Sequence, residues 1–553
     1  MAAVGRETGY NPPVIDPRTL VEAMSNPAFY PEPTTRVEVV QTHISYIFLT
    51  DRYAYKVKKA VDFGFLDYTT LERRRRLCHR EIALNSRLSP EAYLGVVEIR
   101  EKDGTLAIGG DGEVVEVAVK MVRLPEERML RRVLERGEGG PDLVRQIARQ
   151  LAAFHAAAFV SPELQALKGP DGVRFNCVEN FQQTERYIGT LLTDEMFNFI
   201  RTSTELFLQR KQTLLARRLA DGRIVDGHGD LHLDSICATD PVQIFDCIEF
   251  NERFRIQDTA EEMGFLAMDL EFAGYPELAQ AVIEEYIAAS GDRELADLLS
   301  FYKSYRAYVR AKIHSFQTDD AGIPEGRRVE LAATASRYYE LAARYATEFN
   351  PQMLLVTVGL TGSGKSTLAR RLAARCALQV VSTDETRKNL LGIDPRERHY
   401  DAFDHGVYAP SITERTYAAM IDRAEALLLA GQSVILDGCF TKRAQRARAV
   451  ALANRMQVPL LVLDCRCSEE LIRERLERRA AKSKGVSDGR WEIYQKQLET
   501  FEPPVEIPPE QTVVLDRSRP VETLVEELLG RVPPQWFDPN DNGSSQQTSL
   551  GER

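Results

Sequence analysis

Two different spacings of apolar residues divide the chain. From Val37 to Lys58 the stretches VEVVQTHISYIFLT and YAYKVKK carry strand-like patterning. LERRRRLCHREIALNSRL, residues 71–88, sets Leu71, Leu77, Ile82, Ala83 and Leu88 on one stripe and predicts a helix. VVEIR and EVVEVAVKMV follow as strands around the turn IGGDGE. Helical spacing then dominates at 141–158, 261–273, 294–316 and 327–349, interrupted by short strands near Ile224 and at VQIFDCI. Strands first and helices afterwards predict a two-lobed α+β domain over 1–349, with a smaller lobe at 37–124 and a larger one at 125–349.

At Asn350-Pro351 the pattern changes. QMLLVTVG, QVVSTD, SVILDG, LLVLDC and TVVLD are short apolar runs separated by helical segments such as KSTLARRLAARC. This alternation predicts an α/β domain with a parallel sheet over 352–533. Residues 534–553 are polar and aperiodic, which predicts a disordered tail.

Composition narrows the class. A chain of 553 residues with 44% hydrophobic and 28% charged positions is long enough for more than one core. Its formal charge of −11 argues against a broad nucleic-acid surface, although short 5′-hydroxyl ends could still enter a basic pocket. No apolar run of membrane-spanning or signal-peptide type occurs, and scattered cysteines fit a reducing cytoplasmic setting.

The strongest chemistry lies at 359–367, GLTGSGKST. Gly359, Gly362, Ser363, Gly364, Lys365, Ser366 and Thr367 fit a P-loop, preceded by a strand and followed by a helix. Its backbone N–H groups and helix dipole suit phosphates, Lys365 suits the β- and γ-phosphates of ATP, and Ser366 suits Mg²⁺. Asp437 ends SVILD and is the candidate second metal residue; capping the next turn is its structural alternative. In STDETRKNL, Asp384 lies where a base could take a proton from a substrate hydroxyl, and Arg387 could grip an anionic group. A helix cap with a surface Arg is the competing explanation. The arginine-rich segment 469–485 could act as a lid bringing Arg475 or Arg479 to the phosphate, or be a solvated helix, and Arg517 could cover the adenine. These motifs resemble the small P-loop kinases of the polynucleotide-kinase, zeta-toxin and gluconate-kinase-like group, over 352–532. In relatives of the polynucleotide-kinase type the Asp is the base and its Arg binds substrate phosphate, which implies those roles for Asp384 and Arg387.

A second motif, HGDLHLDS from His228 to Ser235, is followed by IFDC with Asp246. Asp230 suits the residue that orients and deprotonates a hydroxyl, and Asp246 the Mg²⁺ carboxylate. Ser235 stands where kinase loops carry a metal-binding Asn. Lys56, with Lys58 as alternative, and Glu81 are the candidate nucleotide-side ion pair. An adenine hinge is expected around Met121 to Leu124. VAVK, ending at Lys120, resembles a kinase lysine motif but follows the helix and hairpin, which removes it from that role. Asp258 is expected to cap the following helix.

This half resembles the aminoglycoside phosphotransferase family, with its protein-kinase-like fold, over about 37–345. THISYIFLTDRYAYKVKK, HGDLH and FDCIEFN together resemble a bacterial group in which such a domain is fused to a P-loop kinase. The resemblance implies a bifunctional phosphotransferase using ATP and Mg²⁺, with small-molecule hydroxyl acceptors and no membrane partner. The alternatives are a nucleotide-sensing pseudokinase fused to an NTPase switch, or a 5′-hydroxyl polynucleotide kinase activity in the second half.

Overall fold

The computed structural model describes residues 15–64, 66–158, 160–166, 168–320, 322–376, 378–393, 406–480 and 490–531, with backbone alone for Leu164, Ala166, Arg479 and Ala480. The tail expected at 534–553 lies outside them. The chain forms two compact units, Met1–Val173 with Arg217–Arg306, and Arg174–Ala216 with Ala307–Arg553.

The first unit is built on a six-stranded antiparallel sheet: β1 Glu38–Gln41, β2 Ser45–Leu49, β3 Tyr53–Lys58, β4 Tyr93–Lys102, β5 Thr105–Ile108 and β6 Glu113–Val122, in the order β1-β2-β3-β6-β4-β5. Alternation along β3 sends Tyr55 and Val57 to one face, where they join Phe48, Ile99, Ala118 and the helix residues Leu20 and Met24 in a core. Val117 and Val119 of β6 pack with Cys78 of helix Leu71–Asn85 on the other face. Thr70 starts that helix by accepting the Arg73 N–H. Beyond β6 the unit is mainly helical, with Pro141–Ala157, Thr259–Phe272 and Pro276–Ser290 packed together. Two small antiparallel pairs interrupt the helices: β7 Ile224–Asp226 with β10 Ile256–Asp258, and β8 Ile236–Cys237 with β9 Gln243–Ile244. Asp258 caps helix Thr259–Phe272 as expected, accepting the Ala260 N–H while holding buried Arg218 through both carboxylate oxygens.

The second unit contains a five-stranded parallel sheet: β11 Leu354–Val358, β12 Gln379–Ser382, β13 Val434–Asp437, β14 Leu460–Arg466 and β15 Thr512–Asp516, ordered β12-β13-β11-β14-β15. Alternate residues serve opposite faces. Leu355, Ile435, Leu461 and Leu463 pack against helices Lys365–Cys376 and Val521–Leu529, whereas Leu354, Val356, Leu436 and Val462 pack against Pro410–Leu429 and Arg443–Met456. Helices Asp194–Arg210 and Glu325–Phe349 pack together within this same unit. Asn350 explains why compactness does not follow the change of pattern at residue 350. Its side-chain amide donates to Ser203 Oγ (3.0 Å) and to the Gly431 carbonyl (2.8 Å), while its oxygen accepts from Arg210 (2.9 Å). A buried Asn with three partners ties those helices to the end of the P-loop domain's helix Pro410–Leu429. Among the described residues, no helix is long and apolar enough to cross a membrane.

Candidate active sites

In the first unit, the two-residue period of β3 puts Lys56 and Lys58 on the face opposite Tyr55 and Val57. Both ammonium groups converge on buried Glu81, Lys56 at 2.9 Å from Oε1 and Lys58 at 2.5 Å from Oε2. They then diverge: Lys56 reaches Asp246 at 2.6 Å, and Lys58 bonds Glu249. Burial alone would lower Lys56, but Asp246 and Glu81 hold its pKa well above the ordinary lysine value. For Glu81 burial works in the opposite direction, and the two lysines override it and bring the carboxyl to about 2. Asp246 has a left-handed backbone (φ +65°), follows β9, and is more than half exposed. Lys120 lies on the other face, paired with Glu32 at 3.3 Å and over the Tyr53 ring, clear of Glu81.

β7 leads into the loop carrying Asp230. A Cβ at Gly227 would fall 2.0 Å from Glu262 Oε2, so only glycine fits there. The His228 backbone N–H donates to Glu262 Oε1 (2.6 Å), and Glu262 Oε2 lies 3.0 Å from His155 Nε2. Buried His228 places Nε2 at 2.7 Å from the Phe245 carbonyl, joining the Asp230 loop to the segment before Asp246; burial lowers its pKa. Asp230 itself remains partly exposed, with His232 Nε2 at 3.5 Å.

Ser235, the candidate metal residue at the position of the kinase-loop Asn, lies in the same loop. Its hydroxyl donates to the His232 carbonyl (2.8 Å) and accepts the His232 N–H (3.0 Å), closing a tight turn, and the residue is buried. In this structure both hydrogen bonds of the hydroxyl stay within its own turn. Met121, in the segment expected as an adenine hinge around Met121 to Leu124, is the penultimate residue of β6, which ends at Val122, and pairs with Tyr93 and Ala54.

In the second unit the P-loop links β11, the central strand, to helix Lys365–Cys376. Gly359, Gly362 and Gly364 all have positive φ (139°, 81° and 88°). A Cβ at Gly362 would press on Ile472 at 2.9 Å, and one at Gly364 would meet Arg517 at 3.1 Å. The loop can therefore turn its amides inward only as glycine. Lys365 Nζ rests on the Leu360 carbonyl (2.8 Å). Ser366 lies beside the carboxyl of Asp437, which burial raises above its ordinary pKa and Ser366 lowers in part. This hydroxyl–carboxylate pair beside a phosphate loop has the hard oxygen donors that Mg²⁺ takes, so the residues fit that ion.

Asp384 and Arg387 lie in helix Thr383–Leu391 directly after β12, with Arg387 Nη1 at 3.6 Å from Asp384 Oδ1. They line a small cavity with Lys388, Leu391, Ile393 and Tyr408. Arg387 is buried, stacks over Tyr408 at 4.8 Å, and has no hydrogen-bond partner at Nε among the described residues. Arg475 donates to the Arg517 carbonyl (2.7 Å), and Arg517 Nη2 to the Gly364 carbonyl (3.3 Å), so both arginines border the P-loop. Arg479's side chain is outside the described residues. Buried Arg517 has Nε and Nη1 unpartnered among the described residues, and burial lowers its pKa. Such an orphaned guanidinium fits an anionic or base-edge ligand. Arg517→Met is expected to leave the nucleotide-free melting temperature unchanged or higher. It should weaken nucleotide binding by roughly tenfold or more, the weight of one charged hydrogen bond, as calorimetric titration would measure.

Sequence inspection missed Lys58's pairing with Glu249, the Lys388–Tyr408 wall and Gln497. Gln497 comes from helix Trp491–Thr500, and its Oε1 accepts the P-loop Thr361 N–H at 2.9 Å. No local motif marks these residues, because each acquires its role from a contact far along the chain.

An AAA domain model matches residues 354–504. The protein Rv2004c of Mycobacterium tuberculosis, described as uncharacterized, is 32% identical over 458 residues, covering 83% of this chain and 88% of that one. The chain belongs to the Rv2004c family. The match is longer than the AAA domain by some 300 residues, so the family shares sequence well beyond the P-loop. Among solved structures, a sugar kinase from Janibacter is 22% identical and covers 34% of this chain and 99% of that one, with a TM-score of 0.26. A gluconokinase from Sinorhizobium meliloti is 23% identical, covering 33% and 91%, with a TM-score of 0.24.

Proposed function

We propose that this member of the Rv2004c family is an ATP-dependent phosphotransferase whose P-loop site phosphorylates a hydroxyl of a small, anionic acceptor. The observation that carries this is the cavity lined by Asp384 and buried Arg387, whose Nε has no hydrogen-bond partner among the described residues, at the β12 edge of the P-loop sheet. An Asp alone could cap a helix. An Asp beside a guanidinium with a donor to spare suits an acceptor site, with a base for the hydroxyl and a cation for the acceptor's charge. Asp384 takes the hydroxyl proton as the acceptor oxygen bonds the γ-phosphorus. The bond from that phosphorus to the β–γ bridging oxygen breaks, and ADP leaves with the electron pair. Lys365 and Arg475 neutralise charge on the moving group, and Arg387 keeps the acceptor in line. Ser366 and Asp437 would hold a Mg²⁺ that offsets phosphate charge.

The first unit is proposed as a second phosphotransferase of the aminoglycoside phosphotransferase kind, with Lys56 and Glu81 on the nucleotide side, Asp246 as the metal carboxylate and Asp230 as the base. The convergence of Lys56, Glu81 and Asp246 supports it. A nucleotide-sensing role is the second possibility, favoured by Ser235's hydroxyl being closed on its own turn. γ-Labelled ATP with a panel of sugars, sugar acids, aminoglycosides, nucleosides and 5′-hydroxyl oligonucleotides separates the two. Two active sites require that Asp230→Ala and Asp384→Ala each abolish label transfer to a different acceptor. Loss only in Asp384→Ala assigns the first unit to sensing, and no transfer to any acceptor by the unaltered protein defeats both activities on that panel.

A further inference from the structure

We infer that Gln497 is a positioning residue that distinguishes ATP from ADP at the P-loop; this rests on the nucleotide-binding reading of that loop. Phosphate-binding loops work through backbone N–H groups aimed inward. Here the Thr361 N–H, between Gly359 and Gly362, is already taken by the Gln497 carboxamide oxygen. Lys365, the residue suited to the β- and γ-phosphates, rests on the carbonyl of Leu360, the residue before Thr361. Gln497 therefore caps the amide next to the point where the lysine waits, at the γ-phosphate end of the loop.

The placement is not that of a loose surface side chain. Helix Trp491–Thr500 is seated by Tyr494, which packs with Ile472, Leu476 and the P-loop's Leu360. Tyr494 and Gln497 are three residues apart and share a helix face. The end of the helix is tied to the loop after β13: Lys442 donates to the Thr500 carbonyl (2.6 Å), and the Glu502 N–H donates to the Thr441 carbonyl (3.0 Å). The other end of the carboxamide, Nε2, faces Cys439 Sγ at 3.8 Å in that same loop. The amide thus spans the P-loop and the segment following Asp437.

A carboxamide has a donor and an acceptor on one rotatable plane. With no γ-phosphate its oxygen satisfies Thr361. A γ-phosphate oxygen competes for that N–H, and the amide can turn to present Nε2 as a donor to the same phosphate. ADP does not reach this position and leaves the Thr361–Gln497 bond intact.

The test is Gln497→Glu, which preserves size and the acceptor for Thr361 but removes the donor and adds a charge that repels phosphate. Titrations of ATP and ADP are followed by Trp491 fluorescence in a Trp536→Phe background, leaving one reporter on the helix concerned. ATP affinity should fall about tenfold or more, and ADP affinity should stay within about twofold. The melting temperature should not move, because the Thr361 bond is retained. Gln497→Ala, which loses the donor without adding the charge, should weaken ATP by a smaller factor, about threefold or more, and leave ADP within about twofold. Equal changes for ATP and ADP in Gln497→Glu would overturn the inference, as would an ATP-to-ADP affinity ratio in Gln497→Ala equal to that of the unaltered protein, since either marks a residue that only anchors its helix. Absence of ATP and ADP binding to the unaltered protein would instead overturn the nucleotide reading, and the inference with it.

Discussion

Asp384→Asn is expected to lower phosphoryl transfer at the P-loop site about a thousandfold, the middle of the range for removing a general base. The substitution keeps the size of the side chain and its place in the first turn of helix Thr383–Leu391. Asp384 touches Arg387 only at ion-pair distance, and Arg387 keeps its stack on Tyr408, so the cavity and its tyrosine wall persist. What disappears is the capacity to take a proton. ATP affinity should therefore remain within about twofold, as the proposed role of Asp384 toward the acceptor requires. Single-turnover measurement with saturating acceptor checks this, and a parallel loss of ATP affinity would place Asp384 on the nucleotide instead. Arg387→Met should show the complementary pattern, a higher acceptor KM with a smaller change in kcat.

Glu81→Gln is expected to destabilise the first unit by about 2 kcal/mol, the usual weight of a charged hydrogen bond lost in a buried site. Two buried lysines share this carboxylate, and the amide takes one of two carboxylate partners from each, leaving Lys56 with Asp246 and Lys58 with Glu249. The acid limb of the stability profile should change as well. Glu81 has an ordinary value of 4.5 and a folded value of about 2. A depressed carboxylate contributes stability that is present above the unfolded pKa and lost as pH falls through the folded one. The unaltered unit should thus lose this contribution between about 4.5 and about 2, and the variant should have a flatter profile across that window. Chemical denaturation at a series of pH values reads both effects. A loss below about 0.5 kcal/mol would mean that Asp246 and Glu249 alone suffice to hold the two lysines.

How much of this could be read from the chain depended on the range of the interactions. The P-loop unit was legible because its signals are local: a strand, a glycine turn and a helix within some twenty residues, then apolar runs ending in Asp384's segment and in Asp437. The order β12-β13-β11-β14-β15 was not, since each strand is equally apolar and only packing decides its neighbours. In the first unit the period of two in YAYKVKK put Lys56 and Lys58 together correctly, but their choice of partners depended on Asp246 and Glu249, some 190 residues away. Ser235's surroundings were not legible in the motif. The sequence shows the hydroxyl's position in the motif, whereas its bonds to His232 depend on how the turn closes. Helix Pro17–Met24, under the first sheet, was passed over because eight residues give too short a period to stand out.

Neither compact unit is a continuous length of chain, and this has a consequence for synthesis. The segment Arg174–Ala216 leaves the ribosome before the rest of its own unit, which begins again only at Ala307. Helix Asp194–Arg210 must therefore wait while the remainder of the first unit emerges, because its partners Glu325–Phe349, Asn350 and Gly431 come later. Domains usually complete themselves from the N-terminus onward. Here the first unit closes at Arg306 around an insertion that is still unpaired, so a ribosome stalled between about 220 and 320 would hold a nascent chain with Phe197, Ile200 and Phe207 uncovered. That interval is where a chaperone would be needed.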